Sequence, residues 1–159
     1  MMNITKKTFI KAIIAGFFST ITIGVLTTLT YKTVLGLFIA GSFGSSMVLL
    51  FGFPESPFAQ PKNVFFGHLV TALVGVIFVN FITLPIYISI AVSVGIGIFL
   101  MICLDVVHPP AGGNPIMVII GGASFEYLIN PIIFGCILII LIAILINKFL
   151  LKKNYPIKK

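Results

Sequence analysis

The chain has no arginine, three acidic residues and two cysteines, and only 8% of its 159 residues are charged. Each scarcity excludes something. A soluble domain of this length needs far more charge to cover its surface, so an ordinary soluble fold is excluded. No stretch interleaves cations with aromatic or polar groups on one face, so a nucleic-acid surface is not expected. Cys103 and Cys136 lie inside apolar runs with no Cys-x-x-Cys pattern, and both read as buried packing residues. Walker, Gly-x-Ser-x-Gly and His-Glu-x-x-His patterns are absent. No pair of potential ligands beyond Asp105 and His108 has a suggestive spacing. No cofactor, no metal and no enzymatic activity are therefore expected.

What remains is 59% hydrophobic, with mean hydropathy +1.24. The apolar runs fall at about 12–31, 33–52, 64–84, 86–104, 108–123 and 131–151, each near the length of about 20 residues that a helix needs to cross a bilayer. The breaks are Lys32, the polar stretch from Phe53 to Asn63, Pro85, the stretch from Asp105 to Pro115, and Glu126 to Pro131. The expected architecture is an all-α membrane protein: one transmembrane domain, residues 1–159, folded as a compact bundle of about six transmembrane segments. The first run reads as a retained span rather than a cleaved leader. The fifth is ambiguous between a re-entrant half-helix and a broken full span. Lysine supplies all of the +7 net charge and gathers at the ends: Lys6, Lys7, Lys11, Lys148, Lys152, Lys153, Lys158 and Lys159. By the positive-inside rule both termini face the cytoplasm, which requires an even number of crossings. A bacterial inner membrane is the expected location.

At an offset of 70, Met47–Leu50 aligns with Met117–Ile120, Gly52 with Gly122 and Pro61 with Pro131. GSFGSS (41–46) precedes the first block and HPPAGGNP (108–115) the second. Both are small, polar or helix-breaking. Three spans per copy would invert the second copy, giving a 3+3 repeat with two broken helices, the arrangement that marks transporter sites near the midplane.

A helix broken inside a bilayer strands backbone N–H and C=O groups, so the break must face protein or water. Pro109 and Pro110 end a preceding helix, Gly112 and Gly113 permit close approach and positive φ, and Asn114-Pro115 reads as a cap and first turn. Gly41, Ser42, Phe43, Gly44, Ser45 and Ser46 would begin the matching half-helix. Two such N-termini, with His108, Pro109, Pro110, Ala111, Gly112, Gly113 and Asn114, would form an anion-binding site. The alternative is packing glycines and a kink. Asp105 and His108 share a face if they lie on a helix, and either form a proton-linked pair or mark an interface. His68 reads equally as interfacial or as part of the site. Glu55, Gln60, Lys62 and Asn63, in the proline-rich loop, would line an entrance or, as parts of a loop, carry no function. Gly24, Gly36, Gly75, Gly95 and Gly97 would let helices approach closely.

HPPAGGNP resembles the signature of the HPP family of integral membrane proteins, named for its His-Pro-Pro. Residues 41–69 are similar to that family's other block, with Gly41, Ser42, Phe43, Gly44, Pro54, Pro57, Gln60, Pro61, Asn63, Gly67 and His68 on matching positions. The resemblance runs from roughly residue 10 to residue 150. Lys62 departs from it, standing where arginine is commoner, and Gly113-Asn114-Pro115 stands where a run such as Ala-Thr is commoner. Plastid and cyanobacterial relatives are associated with nitrite transport. The resemblance thus implies a transporter or channel for a small anion, nitrite first. The alternatives are a non-catalytic membrane subunit of a larger complex and a membrane-embedded enzyme. The expected partners are the lipid bilayer, the anion and a second copy of the chain as a dimer.

Overall fold

A computed structural model describes residues 4–157. Lys158 and Lys159, two of the lysines in the charge argument, lie outside the described residues. The described chain is helical, with six helices: α1 (Lys6–Lys32), α2 (Gly41–Gly52), α3 (Pro61–Phe81), α4 (Ile86–Cys103), α5 (Asn114–Ile120) and α6 (Leu128–Leu150), the last kinked at Asn130, whose backbone is extended. α1, α3, α4 and α6 are long and apolar enough to cross a membrane. α2 and α5 are not: at 1.5 Å per residue they reach only about 18 Å and about 10 Å.

The capping follows the sequence. Thr5 caps α1, its hydroxyl accepting from the Thr8 N–H, and Lys32 sits in the last turn, complementing the helix dipole. Within α1 the hydroxyls of Ser19, Thr20, Thr22, Thr27 and Thr30 donate to carbonyls one turn back, which satisfies them in an apolar setting. Pro61 opens α3, where its missing N–H costs nothing. Asp105, in the left-handed region at φ +53°, turns the chain away after α4, a conformation that aspartate tolerates better than most residues.

The non-helical run 33–40 needs partners for its backbone. The Phe38 N–H donates to the Thr30 hydroxyl, and Asn130 donates to the Leu35 carbonyl. Gly36 adopts φ +104°, and a Cβ there would lie 3.0 Å from the Asn130 amide nitrogen, so both conformation and space require glycine.

Contacts fix which ends of the helices share a face. Lys7, Lys11, Glu55 and Lys153 line one cleft, and Lys62 pairs with Asp105 at 3.1 Å. The start of α1, the 53–60 loop, the start of α3, the end of α4 and the tail after α6 therefore lie together at a lysine-rich end. Phe81 and Phe125 meet at the other end, with ring centroids 6.0 Å apart. The tail folds back over the lysine-rich end, where the buried Tyr155 hydroxyl donates to the Ala59 carbonyl and the Ile157 N–H to Gln60.

α3 is the central helix, with half of its apolar window buried against 11% for α1. Gly75 faces Val118 and Pro115 of α5, and Gly97 faces Thr71 and Pro115, so α3, α4 and α5 pack closely where the sequence places small residues. Gly24 and Gly95 have no atom within 4 Å of a would-be Cβ and serve no such contact. Cys136 is buried, but Cys103 is exposed on the bundle surface, against the expectation that both are packing residues.

Candidate functional site

Two non-helical runs each lead into a short helix: 106–108 is held inside the bundle, whereas 33–40 is exposed over 33–37 and buried only at Phe38 and Ala40. Gly67 on α3 accepts the 106–108 segment directly: a Cβ there would come within 2.8 Å of the His108 Cβ and 2.9 Å of the Val106 carbonyl oxygen. His108 is extended (φ −135°, ψ 97°), as the residue before a proline prefers. Pro109–Gly113 then form one 3-10 turn that leads into α5. α2 begins beside α5, with Gly41 against the Met117 methyl and Ser42 bonded to Asn114.

At this meeting point Ser42 and Ser46 of α2, His68 and Thr71 of α3, His108 and Asn114 form one buried polar cluster. Ser42 and Ser46, four apart, share a helix face. The Ser42 hydroxyl lies 2.6 Å from the Asn114 side-chain oxygen. The Asn114 amide nitrogen donates toward His68 Nδ1 at 3.0 Å, the His68 carbonyl at 3.1 Å and the Thr71 hydroxyl at 3.0 Å. Flipping this amide would set its oxygen against a carbonyl, so the neighbours determine its orientation. Ser46 Oγ lies 3.1 Å from His68 Nε2 and 2.8 Å from His108 Nε2. His108 Nδ1 lies 2.7 Å from the Phe58 carbonyl oxygen.

These partners dictate proton positions. A carbonyl only accepts, so His108 Nδ1 carries hydrogen. An amide NH2 only donates, so His68 Nδ1 accepts and its Nε2 carries hydrogen. With both rings neutral, the chain runs from His68 Nε2–H to the Ser46 hydroxyl to His108 Nε2. The two histidines thus hold opposite tautomers and share one hydroxyl. The same hydroxyl has a second acceptor, the Ser42 carbonyl, at 3.2 Å. Phe43 supports the arrangement, its ring edge-on to His68 with centroids 5.1 Å apart.

The structure brings together Ser42, Phe43, Ser46, His68, His108 and Asn114 from among the sequence candidates, with the buried Ala111 beside them and Gly41 exposed at the edge against Met117. It sets others apart. Gly44, Ser45 and Pro109 are exposed on the outer surface. Pro110, Gly112 and Gly113 are partly exposed, and neither glycine has positive φ or a close neighbour. Asn114 is not a cap: it is the first residue of α5 and its side chain turns into the bundle. Asp105 does not share a helix face with His108, because the chain from 105 to 108 is not helical. Its side chain is 80% exposed and pairs with Lys62. Among the described residues, no three of His, Cys, Asp and Glu gather closely enough to hold a metal ion.

An open cleft of about 530 Å³ at the lysine-rich end is lined by Glu55, Gln60, Lys62, Asn63 and Asp105. Lys62 and Asn63 belong to the first turn of α3 rather than to the loop. Asn63 also donates to the Val107 carbonyl beside His108, so the floor of the cleft adjoins the cluster.

Sequence reasoning missed three participants. Thr71 lies one turn beyond His68, a spacing that could have flagged it. Phe58 acts through its carbonyl, which carries no sequence signal. Tyr155 lies far along the chain, yet it holds the 57–59 turn that presents that carbonyl. Burial raises its phenol pKa, which keeps the hydroxyl a donor. Tyr155→Phe is expected to cost roughly 1–2 kcal/mol by leaving the Ala59 carbonyl without its partner. Hydrogen exchange should then rise at residues 55–62 and stay unchanged in α4.

Four apolar helices long enough to cross a membrane, packed around a buried histidine cluster, define a multi-pass membrane protein with polar groups held inside the bundle. A family pattern described as "HPP, transmembrane region" matches residues 3–156, and the chain belongs to that family. Two transmembrane proteins of Dictyostelium discoideum are similar to it, one 32% identical over 75% of this chain and the other 33% identical over 76%. The chain spans only 44% and 41% of those relatives' lengths. No solved structure matches.

Proposed function

We propose that this chain is a transporter or channel for a small anion, nitrite foremost, with His108 as its proton-linked residue. One observation carries the reading: two buried histidines share the Ser46 hydroxyl where two broken segments meet. Polar groups at membrane depth are costly to place and usually serve function. To donate to the anion, Ser42, Thr71 and Asn114 would exchange their present hydrogen bonds to Asn114, Gly67 and His68. Nitrite comes from the family resemblance, not from the geometry.

The cluster also offers a proton mechanism. When His108 gains a proton on Nε2, that N–H donates to Ser46, and the Ser46 hydroxyl turns to the Ser42 carbonyl. That changes a hydrogen bond at the very start of α2. Protonation and helix position are thereby coupled through one hydroxyl.

The same reading takes the chain as six crossings, four by whole helices and two by a non-helical run plus a half-helix. Support comes from the end contacts: residues 33–52 lead from the far end to the lysine-rich end, and residues 106–125 lead back. It also takes α1–α3 and α4–α6 as inverted copies, supported by Pro61 and Pro131 near the starts of α3 and α6. The lysine-rich end would face the cytoplasm of a bacterium. Dimerisation belongs to this reading, supported by the largely exposed α1.

A second reading, a non-catalytic subunit of a larger complex, is favoured by the completeness of the cluster's hydrogen bonding, which suits a structural role. Flux in proteoliposomes carrying a pH-sensitive dye separates the two. Nitrite, nitrate, chloride and formate are compared, with protein-free vesicles as baseline because nitrous acid crosses lipid unaided. Nitrite flux above baseline is expected, with a pH dependence that His108→Ala abolishes while the protein stays folded. A His108→Ala flux profile that tracks the native one at every pH tested would sink the proton-linked role, and absence of any flux would favour the subunit.

A further inference from the structure

We propose that the cleft between the start of α1 and the tail after α6 is a binding site for one anionic glycerophospholipid of the surrounding leaflet, with phosphatidylglycerol as the best match. The cleft has a volume of about 410 Å³ and is lined by Lys7, Lys11, Lys153, Glu55 and the apolar Ile10, Ile14 and Leu151. Lys7 and Lys11 stand one turn apart on α1, and Ile10 and Ile14 form the neighbouring row. The cations therefore sit at the headgroup level, and an apolar wall continues along α1 toward the hydrocarbon. This order of charge above grease fits a phospholipid and does not fit a free phosphate, which would leave the wall unused.

Charge complementarity points the same way. Three ammonium groups face one carboxylate around the cleft. Lys153 is partly buried: burial pushes its pKa down, Lys11 adds to that, and Glu55 opposes it. A phosphate among these lysines would supply the missing counter-charge. Lys11 is also held in place, its ammonium 4.0 Å above the Phe53 ring. Glu55 would repel a second phosphate but accepts hydrogen bonds, so a headgroup with free hydroxyls suits it. That selects the glycerol headgroup over phosphatidylcholine, which offers no net charge and no donor. Interfacial lysines are attracted to an anionic surface, and a cleft that orders three of them localises that attraction at one lipid.

The test uses the whole chain in maltoside detergent and is independent of transport. Thermal unfolding is followed with phosphatidylglycerol, with phosphatidylcholine and with free glycerol phosphate. Phosphatidylglycerol is expected to raise the midpoint by several degrees and the other two to leave it unchanged. The Lys11→Gln/Lys153→Gln variant should lose at least half of that rise. Lys32→Gln, at the far end of α1, should keep it. Native mass spectrometry should show one retained phosphatidylglycerol, lost in the double variant even if its unfolding curve is altered. An equal rise with phosphatidylcholine or with glycerol phosphate, or full retention by the double variant, would overturn the proposal.

Discussion

Gly135→Ala is expected to lower the stability of the bundle by about 3 kcal/mol, near the upper end of overpacking costs. A Cβ at this position on α6 would lie 2.5 Å from the Phe43 ring and 2.6 Å from the Phe38 carbonyl oxygen. The ring cannot retreat easily, because it is fully buried and also packs perpendicular to His68. The carbonyl belongs to the 33–40 run, whose backbone is already committed to Thr30 and Asn130. Both obstacles are therefore rigid. Gly24→Ala is the matched control, since nothing lies within 4 Å of its Cβ. Thermal unfolding in detergent should show a drop for the first variant and none for the second. Equal midpoints would mean that α6 does not press on the start of α2.

The second large effect is expected at Asn114. Asn114→Ala removes the acceptor for Ser42 and the donor that fixes His68. Each buried group left without a partner costs roughly 1–3 kcal/mol, so a loss of about 3 kcal/mol is expected. A spectroscopic change distinguishes this loss from a plain packing defect. The chain has only two histidines, and at neutral pH their ¹⁵N spectrum should show one Nε2–H and one Nδ1–H tautomer. In the variant the His68 signal should become a mixture while the His108 signal keeps its form, because the Phe58 carbonyl still holds its Nδ1 hydrogen. Two rings of the same tautomer in the native protein would refute the hydrogen-bond order described here.

The long helices were legible because apolar length alone defines them. All four were anticipated within a few residues, and α1 extends further toward its lysines because Thr5 supplies the cap. The two broken segments were legible as interruptions at Gly41–Ser46 and His108–Pro115. Their helical parts were overestimated, because apolar residues 33–40 carry the composition of a span without its conformation. In the site, His108, Ser46 and Asn114 were found through their neighbours in unusual motifs. Asp105 was misplaced for a specific reason: spacing of three implies a shared face only on a helix, and its left-handed backbone ends one. Gly112 and Gly113 were read as dihedral requirements, yet neither adopts one. The role of Phe58 was hidden because a backbone carbonyl has no letter in the sequence.

The covering of the 33–52 segment bears on how the chain is made. Ribosomes deliver this segment second, but several of its seals are delivered last. Asn147 donates to the Leu50 carbonyl, Gly135 leaves room for Phe38 and Phe43, and both belong to α6. Under the six-crossing reading proposed above, the unfinished chain would between those moments hold backbone that hydrocarbon cannot satisfy. Order of synthesis and order of burial therefore differ. On that reading the nascent half-helix would wait beside the insertion machinery until the final span arrives.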